Sequence, residues 1–113
     1  VSAARRETLL WFAQRASAAV LALCVVVHLI TIVYAVRGGL SAAEILGRTR
    51  GSGGWMAFYA LFVLAVSVHA PIGLRAIAIE WLGWRGASRD WAALAIGVAL
   101  AVAGLRAAWA VFA

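Results

Sequence analysis

The sequence predicts an all-α membrane protein with three transmembrane helices and a short interfacial helix between the first and second. Composition, apolar run length and the placing of Arg and Trp point there. Hydrophobic residues make up 66% of the 113 residues and charged residues 12%, where a soluble domain sits near about 45–50% and about 25%. A chain this short cannot wrap a polar surface around that much apolar material. The composition excludes an ordinary soluble domain, a disordered tail and a disulfide scaffold. It leaves one transmembrane domain over residues 1–113.

The spans fall at about residues 9–36, 55–79 and 91–112. Each has 20 or more residues, which at ~1.5 Å per residue crosses a ~30 Å hydrocarbon core. They are rich in Ala, Leu and Val and show no alternating polarity. Helices are therefore the spanning form, since a closed barrel needs many more strands. Arg37-Gly38-Gly39 ends the first helix. Ser41-Ala42-Ala43-Glu44 has the spacing of a capping box and starts the interfacial helix, which reaches about Leu46. Residues 50–54, Arg-Gly-Ser-Gly-Gly, read as a flexible loop. Gly83 and Gly86 end the second long helix, and Ser88 or Asp90 caps the third. The chain opens on Val1, and no cleavable signal peptide is expected, because the first apolar run is too long and lacks a small-residue cleavage site.

The formal charge is +6, and all ten basic residues are Arg. They are scattered between apolar runs, so the basic face that nucleic-acid binding needs is missing. Trp11, Trp81, Trp84 and Trp91 are placed at one membrane face, and Trp55 and Trp109 at the other. The first face carries Arg5, Arg6, Arg15, Arg75, Arg85 and Arg89; the second carries Arg37, Arg48, Arg50 and Arg106. Six against four predicts a cytoplasmic N-terminus. The one cysteine, Cys24, lies in an apolar run and reads as a small buried hydrophobe.

His28 and His69 are the only histidines, and both fall inside spans. Ionisable residues at membrane depth are costly and mark function. A neutral imidazole is a good axial ligand for haem iron. His28 lies 13 residues after Arg15, ~20 Å from the N-terminal face, while His69 lies six before Arg75, ~9 Å from that face. A height difference of roughly 10 Å is too large for one iron held by both rings. The spacing points to two haems at two heights, each completed by a histidine of a second subunit. Gly73, one turn past His69, leaves room for a flat macrocycle, and Pro71 removes a backbone donor and kinks the helix. Arg75 suits a haem propionate.

His69-Ala-Pro-Ile-Gly73-Leu-Arg75, followed by Glu80, resembles the second-helix motif of the cytochrome b membrane-anchor subunit of the succinate dehydrogenase/fumarate reductase family. That motif has a His with Gly at plus four, Arg at plus six and an acid at plus eleven. Gln14-Arg15-Ala16-Ser17-Ala18 is similar to the family's His-Arg-x-Ser-Gly run, with Gln14 in place of the His. The resemblance implies a haem b-binding anchor, with one or two haems shared with a partner subunit and with quinone as substrate. It implies docked flavoprotein and iron–sulfur subunits, and a second membrane anchor or a second copy of this chain. By position, His69 and His28 are the implied iron ligands. Arg15, Arg75 and Gly73 line the cofactor, and Arg15, Ser17 and Trp11 the quinone. Trp11 stands where the family often has a Ser, which puts the usual quinone hydrogen bond in doubt. The implied location is the bacterial inner membrane.

Three rivals stand beside this reading. One is a haem-free anchor of the same family. Another is a small transporter subunit with a histidine relay, although Glu7, Glu44, Glu80 and Asp90 all sit at span ends or in loops. The third is an assembly factor packing through small residues, which leaves both histidines unexplained.

Overall fold

A computed structural model describes residues 1–113. It contains α1 (Ala3–Arg37), α2 (Ala42–Thr49), α3 (Gly53–Leu82) and α4 (Ala87–Phe112), and no strands. The three long helices are long and apolar enough to cross a membrane. They form a rod of 49 × 25 × 22 Å, longer than the ~30 Å hydrocarbon core. α3 is the central element: it packs along both α1 and α4, which touch each other little. Only eight residues are buried within the chain, and Leu23, Tyr34, Trp81 and Leu82 stand 69–81% exposed. So much open apolar surface belongs against lipid or a partner subunit.

Local chemistry explains most boundaries. The Ser2 hydroxyl accepts from Arg5 N and starts α1, six residues ahead of the span. Gly38 ends α1. Ser41 Oγ accepts from Glu44 N, as the capping box requires. The box closes only halfway, because the Glu44 carboxylate pairs forward with Arg48. α2 also runs past Leu46 to Thr49. Ser52, inside the expected flexible loop, caps α3 by accepting from Trp55 N. Gly83 ends α3 with φ 62°, a left-handed conformation that favours glycine.

The start of α4 departs from expectation. Gly86 is its cap, not a second stop for α3, and no side chain caps it. Ser88 and Asp90 both lie inside the helix. Ser88 Oγ accepts from Trp84 Nε1, and Asp90 is taken by arginines. α2 serves the other end of α4: Thr49 Oγ1 donates to Val111 O at 2.8 Å, and Gly51 N donates to Phe112 O at 2.8 Å. These bonds satisfy carbonyls that a helix end leaves free.

Two glycines set how closely α4 approaches α3. A Cβ on Gly97 would lie 3.0 Å from Ser67 O and 3.2 Å from Pro71 Cγ. Ser67 O is the carbonyl that Pro71 leaves without its i+4 amide partner, so the glycine backs onto an acceptor that α3 itself does not satisfy. A Cβ on Gly104 would lie 2.5 Å from Val63 Cγ1. Close approach through small residues is the usual basis of helix association in membranes. Gly104→Ala is expected to destabilise the α3–α4 pair by about 1–3 kcal/mol through overpacking. Thermal unfolding of the detergent-solubilised complex checks this, and adding Val63→Ala is expected to restore much of the loss.

Candidate functional site

His69 lies on α3 in the half that faces the N-terminal part of α1. Its Nδ1 stands 3.3 Å from Ser17 Oγ of α1, and that hydroxyl also lies 3.1 Å from Gln14 O. Ser17 is 7% exposed. The ring is thus tied to a second helix through one nitrogen, while Nε2 makes no hydrogen bond within the chain. Gly73, one turn on, meets Gln14 Nε2, which would lie 3.4 Å from an added Cβ. That is an ordinary contact with the end of one side chain, so Gly73 presents bare backbone towards α1.

His28 stands apart. Its ring meets Phe62 and Tyr59 of α3 edge-on, with centroids 5.5 and 6.1 Å away. Phe62 is seven residues before His69 on α3 and His28 eleven after Ser17 on α1. The two histidines therefore differ in height by roughly 10–17 Å. His28 Nδ1 is buried with no hydrogen-bond partner, and His28 lines a cavity of about 320 Å³ with Tyr59, Phe62, Val66, Leu100 and Gly104. One histidine is oriented by a polar neighbour; the other is held by aromatic edges alone. A larger cavity, about 410 Å³, lies between α3 and α4 beside Pro71, Arg75 and Gly97, and neither histidine lines it. No three His, Cys, Asp or Glu side chains converge on a common point that would suit a bare metal ion.

Arg75 has partners that the sequence does not announce. It is 9% exposed. Its Nε donates to Asp90 Oδ1 of α4 at 2.8 Å. Its Nη2 and Nη1 donate to the two carboxylate oxygens of Glu7 on α1, at 2.8 and 3.3 Å. Arg89 Nε adds a bond to Asp90 Oδ1 at 2.9 Å. One guanidinium so joins the polar ends of all three long helices, with the two-pronged geometry that Arg supplies to a carboxylate. Glu7 and Asp90 both precede the spans at 9–36 and 91–112. Hydrogen bonds from Arg89 and then Arg75 hold Asp90 down at about 2. The Arg75 hydrogen bond holds Glu7 below the ordinary carboxylate range. A propionate partner for Arg75 was the sequence expectation; here the guanidinium is engaged by two carboxylates of its own chain.

Arg15, Ser17 and Trp11 do not share one surface. Arg15 lies over the Trp11 ring, 5.0 Å from its centroid, and both side chains are exposed. Ser17 is buried against His69 instead. Arg15 and Ser17 are two positions apart, about 200° of helical turn, so one must face outward when the other faces α3. Ser17 therefore presents its hydroxyl to His69 and not to the face that carries Arg15 and Trp11.

Reading the sequence missed Glu7 and Asp90 as partners of Arg75, Ser52 as a cap, and Gly97 and Gly104 as contact points. Only Ser52 carried a local signal: a Ser directly before the helical run.

Residues 1–105 match the family described as succinate dehydrogenase/fumarate reductase transmembrane subunit. No curated protein and no solved structure matches the chain.

Proposed function

Because the chain belongs to the succinate dehydrogenase/fumarate reductase transmembrane subunit family, a family of multi-pass membrane subunits, we propose that it is a haem b-binding anchor. It serves a complex that passes electrons between a docked iron–sulfur subunit and membrane quinone. The observation that carries this reading is His69, tied through Nδ1 to a second helix with its other nitrogen unbonded. That arrangement suits a haem ligand, which would use one ring nitrogen for the iron and the other for a supporting hydrogen bond. When bound, haem supplies the one-electron chemistry. The chain's part is to supply and orient a ligand, hold the helices around it, and keep water out with an apolar shell.

His28 stands too far from His69 in height to share its iron. A second haem would take His28, and each iron would draw its other ligand from a second anchor subunit or a second copy of this chain. The open surface of the three helices leaves room for that subunit. Arg15 is the residue proposed to face quinone. Its exposed guanidinium, steadied on Trp11, suits polarising a carbonyl and stabilising the reduced anion. A flavoprotein completes the complex in this reading, and the N-terminus lies on the cytoplasmic side of a bacterial inner membrane.

The histidine-relay reading fares less well. Neither histidine has a carboxylate partner: Glu7 and Asp90 bind Arg75, and Glu44 binds Arg48. The test is a reduced-minus-oxidised visible spectrum of the detergent-purified complex, with haem extracted and counted per copy of this chain. The expected result is a b-type α band with one haem per chain in a complex with two such membrane subunits. Half that count leaves His69 as the ligand and removes His28. No haem, with flavoprotein co-purifying, overturns the proposal in favour of a haem-free anchor.

A further inference from the structure

The hydrogen bonds around Ser17 carry a proton count. A serine hydroxyl has one proton to donate and lone pairs with which to accept. Ser17 Oγ has two neighbours, Gln14 O at 3.1 Å and His69 Nδ1 at 3.3 Å. A carbonyl oxygen only accepts, so the contact to Gln14 O uses the hydroxyl proton. This is the back-bond a helical serine makes to its own preceding turn. What remains for His69 is an oxygen lone pair. For that contact to be a hydrogen bond, His69 must carry its proton on Nδ1, and the neutral ring then leaves Nε2 bare.

We propose that Ser17 is a positioning residue: it fixes His69 as the Nδ1–H tautomer, so that Nε2 is the nitrogen offered to an iron. The assignment rests on the haem-anchor reading above and gives Ser17 a duty other than contact with quinone. It also separates the two histidines. His28 Nδ1 is buried with no partner, so nothing in this chain selects its tautomer. The orienting device belongs to His69 alone.

A hydrogen-bond acceptor on the far nitrogen makes an imidazole a more basic ligand, and such outer contacts are worth about 10–100-fold in metal affinity. A more basic ligand favours ferric over ferrous iron. Removing the acceptor is therefore expected to raise the midpoint potential and to loosen the cofactor.

The experiment uses the intact complex with Ser17→Ala and Ser17→Thr, each compared with the parent and with His69→Ala. Two quantities are read: the midpoint potential from redox titration of the α band, and haem retained per chain after extended detergent washing. Expected for Ser17→Ala are a raised potential and about tenfold weaker haem retention, with Ser17→Thr, which keeps the hydroxyl, returning towards the parent. Should Ser17→Ala leave both readings at the parent value while His69→Ala loses the haem, the Ser17 assignment is wrong and the anchor reading survives. Equal shifts in Ala and Thr also overturn it, because packing and not the hydroxyl is then responsible. A parent complex with no haem removes both readings together. If Ser17→Ala fails to assemble, Ser17→Cys, nearly the same size with a weak hydrogen-bonding sulfur, must give the raised potential for the assignment to stand.

Discussion

Replacing His69 with Ala is expected to remove the haem nearer the N-terminal ends of α1 and α4 altogether. No other side chain near that level can take its place: the chain has two histidines, and His28 lies roughly 10–17 Å away in height. Ser17 and Gln14, the polar groups beside it, are poor iron ligands. The measurement is haem counted per complex, together with the α band. An unchanged count would sink the assignment of His69. His28→Ala is expected to delete a different redox transition and leave the first intact. If only one transition ever appears, and it survives His28→Ala, His28 has no iron to hold. Its unpartnered Nδ1 would then mark a packing histidine among Tyr59 and Phe62.

The second large effect is structural. Arg75→Met leaves Glu7 and Asp90 without the group that joins α1, α3 and α4. Removing one partner of a fully buried ion pair costs about 3–5 kcal/mol. The loss here should be smaller. The Glu7 side chain is 55% exposed and Asp90 keeps Arg89. A loss of about 1–3 kcal/mol, the cost of unpaired buried hydrogen-bonding groups, is the expected size. It would be read as a lower unfolding temperature of the solubilised complex. Adding Glu7→Gln and Asp90→Asn should recover part of it, because the stranded charges are then removed. A changed haem spectrum with unchanged thermal stability would instead place Arg75 on a propionate.

The same cluster fixes a pH dependence. Asp90 titrates at about 2 in the folded chain against 3.8 ordinarily. A carboxylate with a lowered folded value contributes fully above its ordinary value and loses that contribution as pH falls through the folded one. Stability from this tie should therefore be flat above about pH 4 and decline from there towards about pH 2. A decline that begins near neutrality would have to come from another group.

What could be read in advance has a common character. Span positions follow from hydropathy and length, which are local properties. Caps at Ser41 and Gly83 follow from what a single residue can do for its own turn. Even the separate heights of the histidines follow from counting along two helices of fixed rise. The start of α4 was harder. Ser88 and Asp90 both look like caps, but α4 starts ahead of both at Ala87, and they bond Trp84, Arg75 and Arg89 instead.

The sequence by itself determined that this chain crosses the bilayer three times with one imidazole in each of the first two spans, since a bilayer tests every segment against the same thickness and polarity. Tertiary structure alone decided which groups those side chains meet. Ser17 reaches His69 across 52 residues and Glu7 reaches Arg75 across 68. Both contacts depend on the antiparallel register of α1 on α3. Spacing along one helix carries no information about its register against another. The motif at Ser17 points to quinone, while in the fold its hydroxyl lies against His69.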